Sequence, residues 1–176
     1  MEPQNPRRRA DVDPPTVGAY GGFTVYPMPA FVTLAAADPR RTADFFTRVL
    51  DFDVMFRGPE VADVPTLLHV RRAKYQDVLI VPSPQPVSSS ESMIVTFGAS
   101  DPDELDALAE RVRAAAPSSL VQEPEDMPWN ARQMTVRDPD GHQFRFTSQA
   151  RTPRPGTIDE LMQRNDAGSS PGLTMK

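Results

Sequence analysis

The sequence predicts an α+β fold, two βαβββ modules whose mixed sheets form a concave cleft with the helices on the outside. Three observations predict it. The segment FVTLAAADP at 31–39 returns as IVTFGASDP at 94–102, and Arg48-Val49 returns as Arg111-Val112. Seven of the twenty positions aligned from Phe31 and Ile94 are identical, which is the mark of a duplicated unit. In both copies a strand-like run meets Asp-Pro, an N-cap residue followed by a residue pre-set for the first helical turn. Three further strand-like runs then follow each helix.

The elements follow in order. Residues 1–28 carry prolines at 3, 6, 14, 15 and 27 and read as a tail, with 23–26 able to lie down as an edge strand. The first module spans 29–82. Its strand is 31–37, and Asp38 caps a helix from Pro39 to Leu50 whose Ala43, Phe46 and Leu50 share a face beside Phe45 and Val49. Strands at 52–56, 66–70 and 77–81 complete it. A Pro/Ser-rich linker occupies 83–92. The second module, 93–149, repeats the plan: a strand at 93–99, Asp101 as cap, and a helix with the stripe Leu105, Leu108, Ala109 and Val112. Its strands are 119–122, 132–136 and 143–147, the last two joined by the turn Asp138-Pro139-Asp140-Gly141. The extension 150–176 contains a short predicted helix from Ile158 to Arg164.

Composition narrows the chemistry. Among 176 residues there is no cysteine, which excludes disulfides, thiolate catalysis and cysteine-based zinc sites. No run of about twenty apolar residues and no basic apolar leader is present, so the expectation is a cytoplasmic protein without a membrane partner. A formal charge of -5 argues against a nucleic-acid partner, and the cluster Arg7-Arg8-Arg9 reads as a solvated tail. There is no glycine-rich phosphate loop, and Ser88, Ser89 and Ser90 lie in the linker without a nucleophile's context. No residue is assigned a catalytic role.

Period-two alternation assigns the faces. Val32, Leu34 and Ala36 belong under the first helix and Val95, Phe97 and Ala99 under the second. Phe31, Thr33, Ile94 and Thr96 then face the cleft. On the last strand Phe144 and Phe146 go under the helix, leaving Gln143, Arg145 and Thr147 as a mixed polar lining. His69 alternates with Leu67 and Arg71 on the third strand, placing it either toward the cleft as a hydrogen-bonding group or in a structural role.

Over roughly 29–149 the strings FVTLAAADPRRTADFFTRVLDFDV, IVTFGASDP and PWNARQMTVRDPDGHQFRF together resemble the vicinal-oxygen-chelate superfamily, the glyoxalase/bleomycin-resistance/extradiol-dioxygenase fold. In metalloenzymes of that family a ligand stands early in the first strand of each module and another on the last strand of each. The resemblance carries these slots onto Phe31, Ile94, the stretch Val78 to Val81, and Arg145, where no side chain can donate to a metal; Asp77 alone borders one slot. A site made instead from His69, His142 and Asp77 draws on poorly matched positions. No metal and no cofactor are expected. Trp129, the single tryptophan, falls where relatives approach the cleft mouth, either stacking on a planar ligand or plugging the end. Arg145 calls for a carboxylate, from Asp77, Glu91 or an acidic ligand.

The expected function is therefore metal-independent binding and sequestration of a bulky small molecule, an antibiotic or related natural product, by a non-catalytic protein. The alternative within the superfamily is a metal-free isomerase, cyclase or lyase acting on an oxygenated substrate, and a purely structural or regulatory module is a third class. The expected ligand-binding residues are Phe31, Thr33, His69, Ile94, Thr96, Trp129, Gln143 and Arg145. The resemblance also implies a homodimer, because family members often complete their clefts by pairing or exchanging modules.

Overall fold

The computed structural model describes residues 30–87 and 93–153, together with the backbone of 19–20 and 23–24. The predicted helix at Ile158 to Arg164, the arginine cluster at 7–9 and Glu91 lie outside the described residues. The first strands are the short antiparallel pair β1 (Ala19–Tyr20) and β2 (Phe23–Thr24). The first module consists of β3 (Val32–Ala36), helix α1 (Pro39–Asp44), β4 (Asp53–Arg57), β7 (Leu68–Arg71) and β8 (Asp77–Pro82), in the sheet order β3-β8-β7-β4. A small hairpin, β5 (Glu60–Val61) and β6 (Val64–Pro65), is inserted after β4. The second module has β9 (Ile94–Gly98), helix α2 (Pro102–Ala115), β10 (Leu120–Asp126), β11 (Ala131–Arg137) and β12 (Gln143–Gln149), in the order β10-β11-β12-β9. In each sheet the first strand pairs in parallel with the fourth and all other pairs are antiparallel, so the repeat in sequence is a repeat in topology.

Both helices start as their caps dictate. The Asp38 carboxylate accepts from the N–H groups of Arg40 and Arg41 at 3.0 and 3.1 Å, and Asp101 accepts from Glu104 N at 2.8 Å. Each satisfies donors that the first helical turn leaves open. The first helix departs from the regular helix expected to Leu50: after Asp44 it widens into a π turn over Phe45–Val49, closed by Leu50 N donating to Phe45 O at 3.2 Å. The extra residue per turn turns the adjacent pairs Phe45-Phe46 and Val49-Leu50 inward, and all four are buried.

That wider turn joins the two modules. Phe46 meets Phe52 at 4.9 Å and Phe144 of the second sheet at 5.1 Å, both edge-to-face, while Phe52 meets Phe97 at 5.4 Å. Leu34, Val70 and Ile80 of the first sheet and Leu105, Val112, Met134 and Phe146 of the second module belong to the same buried core. Polar ties reinforce the junction. Buried Arg72, in the β7–β8 turn, donates to Gly98 O at 2.8 Å and pairs with Glu104 of α2, Arg111 pairs with Asp51 at 2.7 Å, and Ala37 N donates to Asp140 Oδ2 at 2.9 Å. The modules thus meet on the sides that carry their helices. No helix among the described residues is long and apolar enough to cross a membrane.

Candidate ligand-binding faces

Strand register fixes what each sheet presents on its other, helix-free face. In the first sheet Thr33, Leu79, His69 and Phe56 stand in one row, since Thr33 lies opposite Leu79, Leu79 opposite His69, and His69 opposite Phe56. In the second sheet the matching row is Thr96, Arg145, Thr135 and Gln122. The two rows differ in chemistry. The first face is mainly apolar, with Phe31 and Phe56 49% and 48% exposed beside Leu79 and Val81. The second is polar, carrying Gln143, Arg145 and Thr147 as the alternation predicts, with Gln133, Thr135 and Gln122 alongside. Ile94 is half-buried at its edge, while Thr33 and Thr96 are exposed.

Polar contacts organise each face. On the first, buried Asp77 binds two neighbours through one oxygen: His69 Nε2 lies 2.6 Å from Oδ1, and Arg71 Nε donates to the same Oδ1 at 2.6 Å. His69 is therefore tied to Asp77 while standing in the row on the helix-free face, its side chain 13% exposed. On the second face Thr135 Oγ1 donates to Gln122 Oε1 at 3.3 Å. Arg145 Nε is buried and meets no hydrogen-bond partner among the described residues. Asp77, one carboxylate considered for Arg145, binds His69 and Arg71.

Trp129 sits in the turn between β10 and β11, where Asn130 has φ 62° and Met127 N donates to Ala131 O. Trp129 is 55% exposed. His142 is a turn residue. Its backbone N and its Nδ1 both meet the buried Asp138 carboxylate, at 2.8 and 3.0 Å, in a turn whose Gly141 has φ 94°. His69 and His142 thus engage different aspartates, and no group of three or more His, Asp or Glu among the described residues could hold a metal.

The slots inherited from metalloenzymes of this fold do not fit a metal either. Phe31, Ile94, Leu79 and Arg145 face the helix-free sides, and none offers a lone pair to a cation. Residues the sequence reading passed over are Phe56, Gln122, Gln133 and Thr135. Period two through 132–136 could have found Gln133 and Thr135, whereas bulges in β4 and β10 shift the phase at Phe56 and Gln122.

Two βαβββ modules fused in one chain, each with a helix-free sheet face, define a paired-module α+β class. Residues 29–146 match the family model described as Glyoxalase/Bleomycin resistance protein/Dioxygenase superfamily, and the chain belongs to that superfamily. Among solved structures, TioX from Micromonospora sp. ML1 is similar, with 28% identity and a TM-score of 0.55 over 68% of this chain and 96% of that one. A glyoxalase/bleomycin resistance protein/dioxygenase domain from Frankia sp. EAN1pec shares the fold at 17% identity and a TM-score of 0.59, covering 73% and 96%. A glyoxalase/bleomycin resistance protein/dioxygenase from Nocardioides does so at 20% identity and 0.51, covering 76% and 90%. No curated protein sequence matches the chain at a significant level.

Proposed function

We propose that this protein binds and sequesters a bulky small molecule, an antibiotic or related natural product, without a metal and without a covalent step. The observation that carries the reading is the pair of open sheet faces, one largely apolar and aromatic, the other polar with Arg145 Nε lacking a partner among the described residues. A large, partly planar compound with polar substituents on one side matches both walls, and Arg145 would take an acidic or carbonyl group. Membership of a superfamily that includes bleomycin-resistance proteins supports binding. The donor-poor residues in the metal slots count against the metalloenzyme branch.

The modules of one chain meet through their helix-bearing sides, so each open face needs an opposing wall. A second copy supplies it when the first module of one chain faces the second module of the other, making the homodimer part of the proposal. The test is a native mass-spectrum screen of the full chain against aromatic natural products, followed by recovery of the retained compound. Intact compound in near-stoichiometric amount is the expected result. Turnover of more compound than protein present would replace sequestration with the isomerase, cyclase or lyase reading.

A further inference from the structure

The chain has two histidines, and each is bonded to an aspartate whose side chain is 0% exposed, but through opposite ring nitrogens. His142 uses Nδ1 toward Asp138 Oδ2 at 3.0 Å, whereas His69 uses Nε2 toward Asp77 Oδ1 at 2.6 Å. A carboxylate only accepts, so a neutral ring must carry its proton on the nitrogen facing it. For His69 that places the proton on Nε2 and leaves Nδ1 with a free lone pair. The ring lies between Leu79 and Phe56 in a row whose only other member is Thr33, with Asp77 and Arg71 beside it on the same sheet face.

Charge balance alone does not account for His69. Arg71 Nε already donates to Asp77 Oδ1 at 2.6 Å, and both groups are buried, so the carboxylate has a counter-charge without the imidazole. What the histidine adds is an oriented acceptor. We propose that Asp77, balanced by Arg71, is a positioning residue that locks His69 in the Nε2–H tautomer. His69 Nδ1 is then the acceptor by which the apolar wall reads a hydroxyl or N–H group on the bound small molecule. This rests on the small-molecule reading above and adds to it the chemistry demanded on the ligand's apolar side: a hydrogen-bond donor. The polar wall, through Arg145, asks for an acceptor.

The lock is measured in the ligand-free full chain by long-range proton–nitrogen correlation of the imidazoles in mildly alkaline buffer. His142→Gln assigns the signals. The expected spectrum shows two neutral rings of opposite tautomer, His69 as Nε2–H and His142 as Nδ1–H. In Asp77→Asn the His69 signals move toward a tautomer average, while those of His142 stay. Phenol and anisole then serve as probes, one with a hydroxyl donor and one without. Phenol should shift the His69 Nδ1 resonance, and anisole should leave it. An Nδ1–H or doubly protonated His69 in the wild-type chain, or equal responses to the two probes, overturns the proposal. Because the tautomer is read without ligand, a compound screen that retains nothing counts against the binding function and leaves the lock standing.

Discussion

At the scale of single residues, the chemistry of the open faces turns on a few side chains whose surroundings separate a ligand site from packing. Arg145 is half-buried within the polar row, and its buried Nε meets no acceptor among the described residues. A buried donor left unmade costs stability, so its retention at this spot suits a ligand that supplies the acceptor. Arg145→Ala should therefore weaken an acidic or strongly polar ligand by more than tenfold while leaving the melting temperature within a degree or two. Trp129→Ala should cost an aromatic ligand about 2 kcal/mol where the exposed indole stacks on it. Calorimetric titration of the folded variants checks both, and unchanged affinity would remove these residues from the site. At the metal slots, elemental analysis of the purified chain should find no stoichiometric divalent ion. One tightly held zinc, iron, nickel or manganese, removable with loss of function, would contradict the donor chemistry at Phe31, Ile94 and Arg145.

At the scale of elements, the strands, caps and the last hairpin turn were legible because they rest on local signals: period two, Asp-Pro at each helix start, and the Asp138 to Gly141 turn. The parallel pairing of each module's first strand with its fourth is a non-local feature that the structure adds. The π turn was not legible either, since an amphipathic stripe through Phe46 and Leu50 reads the same whether the helix is regular or widened. The β5–β6 hairpin escaped because its turn residues, Ala62 and Asp63 with φ 50° and 61°, include no glycine. The His69–Asp77–Arg71 cluster was half visible: alternation grouped His69 with Arg71 on their strand, but that Asp77 meets both depends on strand register that no single strand encodes. Removing a cap tests the local signals directly. Asp101→Ala should cost about 1 kcal/mol in denaturant unfolding through loss of its bond to Glu104 N.

Glu104 links the cap to the module junction. Burial pushes its carboxyl upward, but hydrogen bonds from Ser100 and the adjacent Arg72 guanidinium outweigh that and hold it below the ordinary glutamate range. A carboxyl lowered on folding adds stability above its unfolded value, and that contribution disappears as pH falls through the folded one. Glu104→Gln should therefore lower the melting temperature near neutral pH, because the buried Arg72 guanidinium then faces a neutral amide in place of the carboxylate. The gap to the wild type should close as pH drops below about 4.3. A gap that stays constant down to about pH 3 would mean that the carboxylate's charge contributes nothing at this junction.

At the scale of the whole molecule, the decisive feature is that one core lies between the modules while the helix-free sheet faces lie outside it. Phe46, Phe52, Phe97 and Phe144 join the two halves on their helix-bearing sides, and Phe31, Phe56, Thr33 and Thr96 remain open to solvent. A homodimer in which the first module of each copy faces the second module of the other closes two clefts at once, each with one apolar and one polar wall. Light scattering should then give about twice the chain mass of 19.5 kDa, and a mass of 19.5 kDa at all concentrations would reject the dimer. Mixing two damaged chains tests the shared cleft more sharply. Thr33→Trp obstructs the apolar wall and Arg145→Ala weakens the polar wall, so in either homodimer both clefts carry a lesion. In a heterodimer both lesions fall in one cleft and the other is intact. Random exchange makes half the dimers mixed, so about one quarter of all clefts should regain wild-type affinity. If each cleft were built within one chain, every cleft would keep its own lesion, and titration of the mixture would show no recovered sites.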